Sequence, residues 1–373
     1  RQVFKAKSRL TGKLVALKRL YLHEDDKGKE KNRDGFPITA IREIEILRSL
    51  SHPHIIELEA MIATSTGNAF FEMYMVFEYM DHDLTGILNN SAAVYGPSHI
   101  KCLASQLFLG LDYLHQKKII HRDVKVGANL LLNNQGYLKI ADFGLARRFH
   151  LDRDSGDPLE GFEYTNRVVT LWYRSPELLL GSTSYGTEVD IWSTGCILLE
   201  FFTKYPIFQG RAEIDQLELI FKLCGSPSVE NWPGIKDLPW YGMMQFTPTE
   251  RLLVNEFSQP SYGLSTEFVF LLDGLLTLDP SKRPTAKQAL SHPWFLEEEP
   301  FACHPSELPR IEGDWHEYEG KLRKKGKAPV PPPVSVSHQV DISQTSALER
   351  NDSRSAISGS VADEGSPERR NVL

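Results

Sequence analysis

"IIHRDVKVGANLLLN", Ile119 to Asn133, is the stretch that decides how this chain is read. An apolar pair runs into His121-Arg122-Asp123, Lys125 follows two places on, and Asn129 opens a second apolar run. A carboxylate, an ammonium group and an amide thus share one short loop. Whether such a loop does chemistry depends on what stands before and after it.

Upstream lie "VALK" (residues 15–18) and "IRE" (41–43); downstream lie "IADFGLAR" (140–147), "SPE" (175–177) and "DIWSTG" (190–195). Each alone is weak: by itself Lys18 reads as any solvated strand lysine, and Asp142 before Phe143-Gly144 as any turn aspartate. Their order and spacing together match the protein-kinase signature set. "GFPITAIREI" resembles the cyclin-binding helix of cyclin-dependent kinases, and "YTNRVVTLWYRSPELLLG" resembles their activation segment. "NRVVTLWYR" and "WPGIKDLPWY" resemble the transcriptional branch, most of all the fungal kinase of the RNA polymerase II C-terminal repeat domain and its animal relatives. The resemblance spans residues 1 to about 295 and implies an α+β, two-lobed protein-kinase fold. A β-rich N-lobe is expected over residues 1–79, a mainly helical C-lobe over 80–295, and a largely disordered extension over 296–373.

Local patterns agree with that division. "TGKLVALKRLYL" alternates after a Thr-Gly turn, which places Ala16 and Lys18 on one face of a strand. "HEDDKGKEKNRDG" is a charged loop, and "PITAIREIEILRSL" opens a helix on Pro37. "MYMVFEYM" is a β-rich run. Ile100, Leu103, Leu107, Leu111 and Leu114 recur at helical spacing. "DIWSTGCILLEFFT" is apolar all round and predicts a buried central helix. After Phe295 come an acidic run, the basic patch "KLRKKGK", "PVPPP" and a Ser-rich end, with little apolar surface to offset the entropy of ordering.

Composition removes other classes. The 373 residues carry 42 basic and 49 acidic side chains, a net charge of −7, so no basic excess points to direct nucleic-acid binding. No apolar run reaches membrane-span length, so no membrane partner is expected. The four cysteines, at 102, 196, 224 and 303, are dispersed, which fits a reducing, intracellular compartment and neither a zinc site nor a disulfide framework.

The resemblance implies ATP and Mg2+ as cofactors and assigns site residues. Lys18 holds the α- and β-phosphates and Glu43 orients it. Asp123 accepts the substrate hydroxyl proton, with Lys125 beside the γ-phosphate and Thr170 completing the catalytic set. Asp142 and Asn129 ligate the metal, which prefers hard oxygen donors. "VFEYMDHD" resembles the hinge: backbone groups of Glu78 and Met80 pair with adenine, Phe77 closes the back of the pocket and Asp83 reaches the ribose. Leu131 forms the floor, and Val3 and Ala16 line the roof. His121 serves a packed spine with Leu47, Leu58 and Phe143. Thr165 is the activating phosphosite, with Arg42, Arg122 and Arg147 as partners for its phosphate. Val168, Val169 and Arg174 select proline after the target Ser or Thr. The implied partners are a cyclin and, as substrate, the polymerase repeat domain. A nuclear location is implied, with the cytoplasm left open as a second, and "KLRKKGK" is either an address or a solvated basic face. The stretch "LPRIEGDWHEYEGKLRKK" is expected to pack back near the nucleotide pocket.

Two departures stand out. The chain opens at Arg1 within a strand-like pattern, so the glycine-rich loop is expected to lie before residue 1. Five residues, not four, separate Asp123 from Asn129. The spacings from Asp123 to Lys125 and from Asn129 to Asp142 fit the family, so the surplus residue lies in "VGA", 126–128. Three accounts follow: the loop bulges at Gly127, which tolerates unusual backbone angles; Asn129 loses its metal; or the residue comes from a gene-model error at an exon junction. The alternative to an active kinase is a kinase-shaped scaffold; a nearer rival is an elongation-factor-type kinase of the same branch.

Overall fold

A computed structural model of the chain describes residues 2–20, 37–65, 71–90, 94–149, 164–244 and 247–316. The charged loop at 23–35 and the basic patch at 321–327 lie outside the described residues, as does the second of the chain's two units, 334–373.

The N-terminal part is one antiparallel sheet of β1 (Val3–Lys7), β2 (Leu14–Leu20), β3 (Leu58–Ser65) and β4 (Phe71–Glu78), in the order β1-β2-β4-β3. Gly12 closes the first hairpin with a φ of 70°, a left-handed conformation that favours glycine. The register sets Ala16 opposite Phe77 and Lys18 opposite Met75. Helix α1 (Ile38–Arg48) begins one residue later than expected: Pro37 is its N-cap, in extended conformation. α1 buries Ala40, Glu43, Ile46 and Leu47, and leaves Ile38 70% and Ile41 41% exposed.

The helical part begins after the connecting segment. β5 (His82–Asp83) leads into α2 (Leu84–Leu88) and then α3 (Pro97–Gln116). The expected stripe of α3, Ile100 to Leu114, is buried. β6 (Ile119–Ile120) precedes the opening loop, and β7 (Leu130–Leu132) and β8 (Leu138–Ile140) follow it. β5 pairs with β7 and β7 with β8; β6 pairs with β9 (Arg147–Arg148). Both ends of the loop are therefore fixed in sheet. α4 (Pro176–Leu179), α5 (Glu188–Thr203) and α6 (Glu213–Cys224) come next, and α5 is buried from Val189 through Phe201. The bidentate pair of Arg283 with Glu177, at 2.7 Å on each side, is buried against Trp192.

The packed chain continues beyond residue 295. Buried Lys101 donates to the carbonyls of Glu298 (2.6 Å) and Pro300 (3.0 Å), and the Ser98 hydroxyl donates to Phe301 O. Leu308 and Ile311 are buried. The Trp315 N–H donates to Asp81 O and Trp315 O accepts from the Asp83 N–H at 3.0 Å. Residues 314–316 thus lie along the segment that joins the two parts.

This contact demands a glycine in α2. A Cβ on Gly86 would come 2.1 Å from Trp315 O. In an exposed helix, Gly to Ala gains roughly 0.5–1 kcal/mol. Gly86→Ala is expected instead to lower the melting temperature and to speed amide exchange at residues 314–316. A stabilised variant with unchanged exchange would remove this contact.

Candidate active site

The elements above bring the scattered motif residues together. Lys18, on β2, donates to Glu43 Oε1 of α1 at 2.6 Å and to Asp142 Oδ1 at 2.8 Å. Lys18 and Glu43 are buried, while the Asp142 side chain retains 26% exposure. Asp142 adopts a left-handed backbone (φ 62°), a conformation that costs a non-glycine residue energy and clusters at functional sites. It precedes a single helical turn, Phe143–Leu145, against which α1 packs. Phe143 meets His121 edge-on, with ring centroids 5.0 Å apart, and Leu47 is buried in the same core as part-buried Leu58.

The opening loop is closed on itself. Asn129 Nδ2 donates to Asp123 O (2.7 Å) and to Asp123 Oδ2 (2.9 Å), and Lys125 Nζ donates to Asp123 Oδ2 at 2.7 Å. Thr170 reaches the same carboxylate from its hydroxyl (3.2 Å) and its N–H (3.3 Å), and its hydroxyl accepts from Lys125 at 2.9 Å. The surplus residue is absorbed as a bulge at Gly127. There φ is +145°, which only glycine adopts readily, and a turn closes from Leu130 N–H to Gly127 O. Asn129 keeps its place: it is buried, and its carbonyl accepts from the Ala141 N–H at 2.8 Å. The backbone at Gly127 takes the unusual angle that the first account expects.

Residues 1–295 match the family model described as the protein kinase domain. The chain belongs to the protein kinase family. It is 48% identical over 324 residues to the CTD kinase subunit alpha of Schizosaccharomyces pombe, covering 87% of this chain and 51% of that protein. It is also similar to a chain of the yeast RNA Pol II CTD kinase CTDK-1 complex, at 44% identity and a TM-score of 0.72, covering 83% of this chain and 93% of that one. A chain of the CAK complex of Chaetomium thermophilum bound to ATP-gamma-S has 33% identity and a TM-score of 0.72, with 83% and 91% covered. The chain spans about half the length of the curated relatives it matches.

The residues expected around the nucleotide come from both lobes. Ala16 and buried Phe77 face each other across β2 and β4, and Val3, 61% exposed, stands opposite Lys18 on β1. Met80 is buried, Glu78 ends β4, and Leu131 pairs with Asp83 across β5 and β7. Asp83 caps α2: its Oδ1 accepts from the Gly86 N–H at 2.7 Å.

The three arginines lie close enough for their charges to act on one another. Burial, then the charges of Arg122 and Arg42, push the Arg147 guanidinium down to about 10. Arg122 donates to the Tyr185 hydroxyl at 2.7 Å, and that hydroxyl donates to Thr165 O at 2.8 Å. The Thr165 residue itself is exposed. Val168 and Val169 are buried, and Val169 is left-handed (φ 66°). Arg174 donates twice to Val169 O (3.0 and 3.3 Å) and pairs with Glu213 at 2.7 Å.

Sequence reasoning gave no role to Tyr185 or Asp190. Asp190 lay in plain view in "DIWSTG", but nothing in that motif says what it holds. Its two oxygens accept the backbone N–H groups of Arg122 (2.8 Å) and His121 (2.9 Å), and His115 Nε2 lies 3.0 Å away. These bonds fasten the loop to α5 where Arg122 turns left-handed (φ 67°). Burial alone would raise the Asp190 carboxyl; the bond and charge of His115, then the charge and N–H of His121, carry it below its ordinary 3.8. A depressed folded value stabilises above the unfolded value and is lost as pH falls through the folded one. Asp190→Asn is expected to cost about 2–4 kcal/mol at pH 7, the penalty for disturbing a buried, bonded charge. The gap to wild type should narrow below pH 3.8. Denaturant melts at pH 7 and 3 test this; equal melts at pH 7 would show that the carboxylate does not anchor the loop.

Proposed function

We propose that this chain is the catalytic part of a cyclin-dependent serine/threonine kinase. It transfers the γ-phosphoryl of ATP to Ser-Pro or Thr-Pro sites, in the C-terminal repeat domain of RNA polymerase II, and acts in transcription in the nucleus. One observation carries the reading: Lys18, Glu43 and Asp142 form one ion cluster, and Asp123, Lys125, Asn129 and Thr170 form a closed network. The names of its relatives supply the substrate.

Phosphoryl transfer asks for positioning and charge neutralisation more than covalent help. Lys18, held by Glu43, pairs with the α- and β-phosphates. Adenine sits between Ala16 and Val3 above and Leu131 below, with Phe77 behind it, backbone groups of Glu78 and Met80 at its edge and Asp83 toward the ribose. Asp123 accepts the proton of the substrate hydroxyl. Lys125 lies beside the γ-phosphate, and Thr170 holds Lys125 and Asp123 in one geometry. Asp142 and Asn129 suit magnesium, because they offer hard oxygen donors and Asp142 already sits against a cation, Lys18. Among the described residues no cluster of three His, Cys, Asp or Glu forms a protein-only cage, which fits an ion that leans on phosphate oxygens. When bound, it neutralises charge on the transferring phosphate.

Proline specificity has a physical reason. The Val169 carbonyl is occupied by Arg174. A substrate residue with an N–H there would bury an unpaired donor, and proline has none. The cyclin docks on α1, where Ile38 and Ile41 are exposed. A phosphate on Thr165 draws Arg42, Arg122 and Arg147 together, joining α1, the catalytic loop and the activation segment.

Asp123→Asn is expected to lower kcat by about 10²–10⁴-fold, the usual worth of a positioned general base, with nucleotide affinity unchanged in a binding titration. Near-normal turnover would strip Asp123 of this role. Thr165→Ala should reduce cyclin-stimulated activity by roughly 5- to 150-fold, the range of a typical coupling between sites. A peptide phosphorylation assay with and without the cyclin reads it; full stimulation in the variant would contradict the assignment.

A further inference from the structure

The C-terminal end of α1 makes a contact that neither the catalytic residues nor the arginines near Thr165 account for. Arg148 Nη2 donates to the Ser49 hydroxyl at 2.8 Å. Ser49 is the C-cap of α1, and its hydroxyl donates in turn to Ile46 O at 2.7 Å. The last carbonyls of a helix form its negative end, so a guanidinium placed there is favoured by the dipole as well as by the bond. Both residues are exposed. An exposed bond is ordinarily worth little, since a long side chain loses rotamer freedom in making it.

What sets Arg148 apart is how its backbone is held. On β9 it pairs with Ile119 of β6, and the next residue, Phe149, donates its N–H to Lys118 O at 2.9 Å. β6 runs directly into the catalytic loop at His121. The Arg148 carbonyl accepts from the Tyr164 hydroxyl at 3.2 Å. Tyr164 precedes Thr165, and the Arg122 guanidinium lies over its ring, 5.7 Å from the centroid. One residue therefore touches α1 by its side chain, the strand leading into the catalytic loop by its sheet pairing, and the activation segment by its carbonyl. Ser49 stands six residues beyond Glu43, about 9 Å along the helix axis. It lies at the opposite end of α1 from exposed Ile38 and Ile41. Holding that end limits how far Glu43 can swing from Lys18, to which it bonds at 2.6 Å.

We infer that Arg148 is a positioning residue that latches the C-terminal end of α1 to the activation segment and so keeps Glu43 within reach of Lys18. This rests on the kinase reading of the site. A phosphate on Thr165 acts through Arg42, Arg122 and Arg147 and leaves Arg148 out, so the latch is a separate tie between the same two segments. A cyclin seated on Ile38 and Ile41 holds one end of α1, and Arg148 holds the other.

The test is a double-mutant cycle on the full chain co-purified with its cyclin. Arg148→Ala removes the guanidinium, and Ser49→Ala removes the hydroxyl that accepts from it. Each single variant is expected to lower kcat on a Ser-Pro peptide by about 5-fold, the low end of a coupling between two sites, with the peptide KM unchanged. The double variant should be no slower than the worse single one, because both remove the same contact. Ser49→Asp supplies a readout that a merely structural role would not move. It offers Arg148 a carboxylate and should keep at least wild-type kcat. Combined with Arg148→Ala it leaves an anion at the negative end of a helix and should be the slowest of the set. Hydrogen exchange, read without any assay of activity, should be faster across 38–48 in Arg148→Ala and near wild type in Arg148→Lys, which restores a cationic donor. Wild-type kcat in Arg148→Ala, multiplied losses in the double alanine variant, an equal loss from Ser49→Asp with and without Arg148, or unchanged exchange across 38–48 would each overturn the inference. Inactivity of the unsubstituted chain toward the peptide would instead strike the kinase reading, and the exchange result alone would then decide the latch.

Discussion

One ammonium group, that of Lys18, ties the two lobes together. It reaches Glu43, 25 residues away on a helix, and Asp142, 124 residues away at the end of a strand in the other lobe. Burial makes the arrangement strict. Two carboxylates brought this close without a cation between them would repel in a medium that screens poorly. The ion cluster therefore requires β2, α1 and the Phe143 turn to be in place at once. That coupling ties the position of α1, which presents Ile38 and Ile41 to the outside, to the Lys18 cluster.

A second buried charge does for the lower lobe what Lys18 does for the upper. Asp190 holds two consecutive backbone N–H groups of the catalytic loop, and between them Arg122 takes a left-handed conformation that an isolated chain would avoid. The same arginine then reaches Leu145 O and Tyr185, and through Tyr185 the backbone of Thr165. The loop is thus strained and tied at three points. Its one-residue lengthening falls at Gly127, whose φ of +145° glycine adopts readily.

Much of this was legible in the primary chain because motif order survives folding. The alternation of residues 14–20, the apolar stripe of α3 and the uniform apolarity of α5 carry their structure in their period. Spacing alone located the surplus residue between Lys125 and Asn129, but could not choose among its outcomes. That choice depended on Gly127 taking an angle of +145° and on Asn129 being caught by Asp123 and Ala141, contacts made only in three dimensions. The packing of residues 297–316 was only partly legible, for a different reason. They offer few apolar side chains, and they are held largely by backbone carbonyls that accept from Lys101 and Ser98 and by a bridge to the hinge. Carbonyl acceptors leave no trace in composition.

The central claim is that the lengthened loop and the ion cluster form one working site. The most direct measurement is magnesium-dependent incorporation of labelled phosphate from ATP into a Ser-Pro repeat peptide, using the full chain with its cyclin, with the modified residue mapped. The account predicts phosphate on the serine that precedes proline, lost on chelation of the metal. Tight nucleotide binding with no transfer would contradict it, and would mean that the surplus residue has taken Asn129 or Asp123 out of reach of the reacting phosphate.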